Sequence, residues 1–342
     1  MSFQYIRKIP SPAEIIAEMP LGPELKRIKE ERDKTIISVI TGQSGKLLVI
    51  IGPCSADNED AVCEYVARLA GLQEKVREKM ILVPRIYTNK PRTTGEGYKG
   101  MLHQPDPNEA PNILEGLKAI RKMHLRMLRE SHMTAADEML YPDNYPYLED
   151  LLSYVAIGAR SVENQQHRLT VSGLDVPAGM KNPTSGDLNV MLNSIQAAQQ
   201  PHVFAYNGQE VRASGNPFAH AILRGAITQY GRSIPNYHYE DMIRLAQMYR
   251  QRQLVNPAII VDTNHANSGK VFTEQPRIAM EVMHSMRNSE LLKDMVKGLM
   301  IESYLVEGGQ DVTGSVYGKS ITDPCLGWED SEKLVLKLAE RL

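Results

Sequence analysis

The chain has 342 residues, enough for one large barrel or two ordinary domains. A formal charge of −2 argues against a nucleic-acid-binding protein, and no apolar run approaches the ~20 residues of a membrane span. Because the cysteines are few and scattered and the N-terminus lacks a signal-peptide core, we expect a cytoplasmic protein with no membrane or nucleic-acid partner.

The first 45 residues differ in character from the rest of the chain. They are charged and interrupted by prolines, and residues 24–35 are predicted to form an exposed helix. We therefore predict two parts, an N-terminal arm at residues 1–45 and a catalytic domain at residues 46–342.

Short apolar runs alternate with amphipathic segments from residue 47 onward. Most runs are continuously apolar, which is typical of strands that are buried on both faces. The candidate strands are residues 47–51, 80–83, 134–139, 154–159, 175–180, 202–206, 257–261 and 296–301.

Helical spacing of apolar residues predicts helices at 59–72, 112–130, 239–252 and 276–287. The repeating strand and helix pattern matches a (β/α)8 TIM barrel with an N-terminal extension, a fold of ~250 residues. The alternative is a doubly wound open sheet, which shows a glycine-rich turn after its first strand when it binds dinucleotides. Residues 52–55 do not provide such a turn.

A basic stretch follows the second predicted strand. It contains Arg85, Lys90, Arg92 and Lys99, with Glu96 as its only acid. Further cations follow later strands, namely Arg160, Lys181 and Arg224. Active sites of these barrels lie at the carboxyl ends of the strands, so the cations predict a substrate that carries both phosphate and carboxylate.

Residues able to bind a metal follow three of the predicted strands. Cys54 follows the first, His265 the seventh and Glu302 the eighth, and Asp323 lies in a polar loop beyond the eighth. One soft, one borderline and two hard donors suit Mn²⁺, Fe²⁺, Co²⁺ or Zn²⁺ better than Mg²⁺. Taken singly, each residue is more often structural, so the interpretation depends on their shared position.

The motifs together resemble type I 3-deoxy-D-arabino-heptulosonate 7-phosphate (DAHP) synthase, in the branch regulated by aromatic amino acids. The resemblance covers essentially the whole chain. It is carried by Gly-Pro-Cys-Ser at 52–55, Lys-Pro-Arg-Thr-Thr at 90–94, Gly-Ala-Arg at 158–160, Ala-Asn-Ser at 266–268, Glu-Ser at 302–303, Ser-Ile-Thr-Asp at 320–323 and Gly-Trp-Glu at 327–329.

The resemblance implies a role for each matching position. The implied metal ligands are Cys54, His265, Glu302 and Asp323. Phosphoenolpyruvate would be bound by Arg85, Lys90, Arg160, Lys181 and Arg224, and the phosphate of erythrose 4-phosphate by Arg92, Thr93 and Thr94. Glu138 would lie beside phosphoenolpyruvate and its water, and the catalytic set would be Lys90, Glu138 and His265.

The implied reaction condenses phosphoenolpyruvate with erythrose 4-phosphate at the start of the shikimate pathway. The metal polarises the aldehyde, C3 of phosphoenolpyruvate attacks it, water adds to C2, and the hemiketal phosphate collapses with cleavage of the C–O bond. The family also implies that the N-terminal arm supports a homodimer or homotetramer.

Some positions depart from the family pattern. The loop at 94–98 is one residue longer than in enterobacterial members, and Tyr145, Pro146 and Asp175 replace the Pro, Gln and Ser of the aromatic effector pocket. The arm also lacks acidic residues near its start. We therefore expect weak or absent inhibition by aromatic amino acids, or control by another ligand.

Two alternative functions remain open from the sequence. The sister enzyme 3-deoxy-D-manno-octulosonate 8-phosphate synthase uses arabinose 5-phosphate, but typically has an Asn-Arg-Ser-Ser pattern where this chain has residues 90–94. A barrel that only senses anions would not need every metal and phosphate position. A further hypothesis is that Cys54 and Cys325 form a redox pair when the metal is absent.

Overall fold

Eight parallel strands form a closed ring in the computed structural model, which describes residues 2–342. We number them β1 to β8 in chain order: Leu47–Gly52, Met80–Pro84, Ala135–Glu138, Leu152–Ile157, Ala178–Lys181, Ala219–Leu223, Ile259–Asp262 and Val296–Glu302. β1 pairs with β2 and β8, and parallel pairing continues through β7, β6, β5 and β4 to β3. A parallel bridge between Arg85 and Ala136 closes the ring, which confirms the predicted (β/α)8 barrel.

Two helices come before β1, and the other helices follow the strands along the chain. In chain order the helices are α1 Pro12–Glu18, α2 Pro23–Ile40, α3 Glu59–Val76, α4 Ile113–Ser131, α5 Gln165–Ser172, α6 Leu188–Ala198, α7 Tyr239–Arg252, α8 Gln275–Arg287, α9 Glu290–Met295 and α10 Trp328–Arg341. Several begin at an Asn or Asp whose side chain accepts a backbone N–H, for example Asn58 and Asp187. Short 3₁₀ helices lie at Pro142–Tyr147 and Phe272–Glu274, and the first of them replaces an α-helix between β3 and β4.

The predicted sixth barrel strand was wrong. Residues His202–Tyr206 form an antiparallel pair with Gln209–Ala213 outside the ring, and alternate side chains of that strand are partly exposed. The sixth barrel strand is β6, which contains His220. The ring of His220 is buried but satisfied, because its nitrogens lie 2.8 Å from the Tyr154 hydroxyl and 2.8 Å from the Phe218 carbonyl oxygen. A histidine inside a short strand hid this element from the apolar pattern.

The side chains on the two faces of the strands belong to two separate apolar clusters. One fills the space between the ring and the helices, and the other fills the inside of the ring. The inner cluster includes Ile36, Val39 and Ile40 from the last turn of α2, together with Leu48 and Ile50 of β1. Helix α2 is therefore longer than the exposed helix predicted at 24–35, because its last turn packs against the residues that line the ring.

The remaining short strands form small pairs outside the ring. Ala226–Ile227 pairs with Ser233–Ile234, and Val306–Gly309 pairs with Lys319–Ser320. None of the helices within residues 2–342 is long and apolar enough to cross a membrane.

Candidate active site at the carboxyl end of the barrel

A cleft of about 180 Å³ opens at the carboxyl ends of the strands. Most predicted site residues line it, namely Cys54, Arg85, Lys90, Arg92, Glu138, Arg160, Lys181, Arg224, His265 and Asp323. Glu302 is 2% exposed and contacts Arg85 and His265 from the end of β8. Thr93 and Thr94 are exposed on the loop after β2 and do not line the cleft. The strand ends thus bring nearly all the predicted residues together.

Arg85 and Glu302 form a fully buried ion pair that joins the ends of β2 and β8. Nη2 of Arg85 donates to Oε1 of Glu302 at 2.9 Å, and Nη1 donates to the carbonyl oxygens of Pro53 and Cys54. The guanidinium also lies 3.6 Å from the ring centre of Tyr87. Burial alone would raise the pKa of Glu302, but Arg85 and its other cationic neighbours hold that pKa below the usual range.

Lys90 joins the loop after β2 to Cys54 and Asp323. Its Nζ lies 2.7 Å from Sγ of Cys54 and donates to Oδ2 of Asp323 at 2.7 Å. Sγ of Cys54 lies 3.5 Å from the same carboxylate oxygen. Burial and the charge of Glu302 raise the pKa of Cys54, whereas Lys90 opposes that shift. Lys90 therefore supplies the positive charge between the thiol and the carboxylate.

His265 lies between two carboxylates. Its Nδ1 is 2.8 Å from Oδ2 of Asp262, and its Nε2 is 3.9 Å from Oε1 of Glu302. Asp262 also pairs with Lys181, whose Nζ lies 3.3 Å from the same oxygen. Burial lowers the pKa of His265, which favours the neutral imidazole that metals bind.

The four predicted metal ligands lie around one region as two close pairs. Cys54 and Asp323 form one pair, and His265 and Glu302 form the other. Across residues 2–342, however, no three His, Cys, Asp or Glu side chains are close enough together to hold an ion. A thiol, an imidazole and two carboxylates at neighbouring strand ends nevertheless fit a divalent first-row ion in donor type and position.

The opposite wall of the cleft carries cations without acidic partners. Nη1 of Arg224 is buried without a hydrogen-bond partner, and burial lowers the pKa of its guanidinium, as does nearby Arg160. Glu138 stands beside Gly158, where a Cβ atom would lie 2.3 Å from Oε1 of the glutamate. The glycine therefore leaves room for the carboxylate, and the two arginines leave donors free for an anion.

Sequence reasoning assigned no role to two residues that the structure places in the site. Asp262 contacts both Lys181 and His265. Tyr87 lies beneath Arg85, and its ring centre is 5.6 Å from Nζ of Lys181. Asp262 ends an apolar run, which was a usable signal, whereas an aromatic residue just beyond a strand gives none.

The predicted redox pair remains a prediction. Cys54 and Cys325 are both free thiols in the structure, and burial raises the pKa of each.

Comparison with known proteins assigns the family. A sequence model of the DAHP synthetase I family matches residues 24–336. This chain belongs to the DAHP synthetase I family.

Individual relatives agree with that assignment. The Trp-sensitive phospho-2-dehydro-3-deoxyheptonate aldolase of Escherichia coli K12 is 36% identical over 98% of this chain and 95% of its own length. The Phe-sensitive enzyme of the same strain is also 36% identical, over 98% of this chain and 94% of its own length. The solved phospho-2-dehydro-3-deoxyheptonate aldolase of Francisella tularensis SCHU S4 superimposes with a TM-score of 0.92 at 29% identity, covering 99% of this chain and 98% of that one.

The position of Asp262 predicts a large stability effect. Asp262→Asn removes the negative charge that lies against buried Lys181, and breaking a buried ion pair on one side costs roughly 3–5 kcal/mol of unfolding free energy. Chemical denaturation measures the change. Asp294→Asn is the matched control, because Asp294 is 71% exposed, and it should stay within about 0.5 kcal/mol of the parent. Equal stability of the two variants would contradict the assigned role of Asp262.

Proposed function

We propose that this cleft carries out DAHP synthesis with the residues described above. The enzyme condenses phosphoenolpyruvate with erythrose 4-phosphate and water to give DAHP and phosphate, which is the first step of the shikimate pathway. The observation that supports the residue roles most directly is the set of cations at the cleft, two of which, Arg160 and Arg224, have no acidic partner. The family and the names of its members favour this reaction over the arabinose 5-phosphate alternative.

Phosphoenolpyruvate would occupy the wall formed by β2, β4, β5 and β6. Lys181 is the last residue of β5, Arg224 follows β6, and Arg160 lies at the exposed edge. The free donors of the two arginines suit bidentate contacts to phosphate, while Arg85 and Lys90 lie on the side where a carboxylate would sit. Binding an anion here offsets the repulsion between Arg160 and Arg224.

Erythrose 4-phosphate would bind at the loop after β2. Nε of Arg92 donates to the carbonyl oxygen of Tyr98 at 2.9 Å, which leaves both terminal amino groups for a phosphate. Thr93 and Thr94 follow it on the exposed part of the loop and add hydroxyl donors. The acceptor sugar would therefore enter from the side of this loop, next to Lys90.

Each step of the reaction has a candidate group. C3 of phosphoenolpyruvate attacks the aldehyde carbon, and the Lys90 ammonium donates to the oxygen that becomes an alkoxide. Water adds to C2, and Glu138, at the cleft beside Gly158, orients that water and accepts its proton. The bond between C2 and the phosphate oxygen then breaks while the C2 hydroxyl passes its proton to the departing phosphate, which leaves a ketone at C2. Lys181 and Arg224 neutralise the charge of the released phosphate.

A divalent ion completes the proposal. Enzymes of this family use a divalent metal. Cys54, His265, Glu302 and Asp323 would hold Mn²⁺, Fe²⁺, Co²⁺ or Zn²⁺, and the bound ion would supply a Lewis acid for the aldehyde oxygen. Three free cysteines in the chain also suit a reducing cytoplasm, where we place the enzyme.

Metal removal and replacement test this site. Chelation should abolish DAHP formation and added Mn²⁺ should restore it. Cys54→Ala should remain at least about a hundredfold less active after the same addition, because Lewis-acid stabilisation contributes several kcal/mol. Cys63→Ala is the matched control, since Cys63 lies in α3, and it should recover like the parent. Full activity after chelation, or equal recovery by the two variants, would refute the proposed metal site.

We propose that the N-terminal arm contacts a second copy of the chain in a homodimer or homotetramer. Residues 2–11 lack regular structure, and Phe3, Tyr5 and Ile6 are 80%, 91% and 83% exposed. Three large apolar side chains on one short segment form a surface that an interface would bury.

The oligomer is tested by sedimentation. The parent should sediment as a dimer or tetramer, and the triple variant Phe3→Ser, Tyr5→Ser, Ile6→Ser should shift toward smaller species. A monomeric parent contradicts the proposal, and so does a triple variant that assembles as tightly as the parent.

We also propose that aromatic amino acids inhibit this enzyme weakly or not at all. Tyr145 and Asp175 line a separate cavity of about 360 Å³ together with Glu149, Phe204 and Tyr206. Burial and nearby Asp150 raise the pKa of Glu149, so added negative charge is unfavourable there. Lys29 lines the same cavity, but its Nζ already pairs with Asp33 at 2.6 Å. Arg212 also lines the cavity, but it is exposed to solvent, which screens its charge. The carboxylate of an amino acid would therefore meet two acids and one exposed cation.

Initial rates settle the question of feedback. Rates measured with millimolar Phe, Tyr or Trp should match those with equal glycine, which controls for nonspecific effects of an amino acid. Strong inhibition by any one of the three aromatic amino acids would show that the cavity accepts it despite Asp175 and Glu149.

A further inference from the structure

A long irregular loop carries the cations proposed to bind both substrates. Hydrogen bonds hold its two ends together, and we call these joined ends the neck of the loop. The segment between β2 and α4 contains no helix or strand. Within it, Thr88 and Leu102 meet where the Leu102 N–H donates to the Thr88 carbonyl oxygen at 3.1 Å. We call residues 88–102 the substrate loop, because Lys90, Arg92, Thr93 and Thr94 lie on it.

The neck of the substrate loop is tightly packed. Gly100 has a φ of +98°, and a Cβ atom there would lie 2.4 Å from the Thr88 carbonyl oxygen. Farther into the loop, the Lys90 N–H donates to the Lys99 carbonyl oxygen at 3.0 Å. The two sides of the loop therefore run against each other near Thr88, and displacing Thr88 would displace the base of the loop.

Asp137 holds this neck against β3. The Thr88 N–H donates to Oδ1 of Asp137 at 2.9 Å, and the Thr88 hydroxyl donates to Oδ2. The N–H of Glu138 donates to Oδ1 at 2.7 Å. Asp137 is 4% exposed and Thr88 is 0% exposed, so water cannot replace these bonds without local opening.

We propose that Asp137 is a positioning residue that clamps the substrate loop to the strand carrying Glu138. One carboxylate receives donors from both parts, so the cations of the loop and the carboxylate of Glu138 keep a fixed relation. This inference rests on the proposed function for the roles of Lys90, Arg92 and Glu138. Placing reacting groups within tenths of an ångström is worth large factors in rate, so a clamp outside the cleft matters for turnover.

Two pairs of variants separate the clamp from a general effect on folding. Asp137→Ala removes every contact, whereas Asp137→Asn keeps an oxygen for both N–H donors and offers an amide N–H to the Thr88 hydroxyl oxygen. Thr88→Val removes the hydroxyl bond to Asp137 together with a 3.3 Å bond that the Asn89 side-chain amide donates to the hydroxyl, and Thr88→Ser keeps both. Asp143→Ala is the matched control, because it is the same substitution at an exposed site just after β3.

Hydrogen exchange of the substrate-free protein gives a readout independent of catalysis. Amides of residues 88–102 should exchange faster in Asp137→Ala, and to a lesser degree in Thr88→Val, while the rest of the barrel stays protected. Asp137→Asn, Thr88→Ser and Asp143→Ala should match the parent. In steady-state assays Asp137→Ala should raise KM for both substrates and lower kcat/KM at least about tenfold, with Asp137→Asn restoring most of the loss.

Several outcomes would overturn the clamp. Parent-like exchange of residues 88–102 in Asp137→Ala would do so, as would exchange that rises equally throughout the barrel. Equal losses of kcat/KM in Asp137→Asn and Asp137→Ala would also overturn it. So would faster exchange of the substrate loop in Asp137→Ala without any change in kcat or KM. If Asp137→Ala does not fold, the exchange rates of Thr88→Val and Thr88→Ser test the clamp instead, and equal rates in these two variants would overturn it. A fully active Arg92→Ala would instead refute the proposed role of the loop, which separates the two failures.

Discussion

The structure depends on balancing several charges that the barrel buries at one end. An isolated buried charge costs several kcal/mol, so each must find a partner. Arg85 pairs with Glu302, Lys181 with Asp262, and Lys90 with Asp323. Each pair joins segments distant in the sequence, so the same interactions that neutralise charge also fix the strand ends and their loops relative to one another.

The balance of charge is incomplete on one side of the cleft, and the proposed binding of an anionic substrate depends on that imbalance. Arg160 and Arg224 approach each other, and Nη1 of Arg224 is buried without a partner. Two other acids, Glu302 and Asp323, lie with Cys54 and His265 on the other side. A cleft with surplus cations at one wall and metal-type donors at the other suits an anionic donor substrate beside an aldehyde that needs a Lewis acid.

The sequence predicted the architecture because strands buried on both faces leave continuous apolar runs. The pattern did not predict β6, because His220 interrupts its apolar run. The nitrogens of the His220 ring contact the Tyr154 hydroxyl and the Phe218 carbonyl oxygen, and these contacts exist only in the folded barrel. Position at a strand end likewise indicated which charged residues would meet. It did not reveal the contacts of Asp262 at the end of β7 or of Asp137 within β3, because those contacts depend on partners from other segments.

Helix α2 links the barrel to the cavity that contains Asp175. Lys29 of this helix lines that cavity, and Nη2 of Arg32 donates to the Leu82 carbonyl oxygen of β2 at 2.7 Å, just before Arg85. Communication from the cavity to the cleft along this route would require α2 to adopt two positions. Its last turn is locked by the buried side chains of Ile36, Val39 and Ile40, which are at most 1% exposed. A helix whose end is buried in a close-packed interior favours a single position. A ligand bound in the cavity would therefore have little effect on the active site through this route.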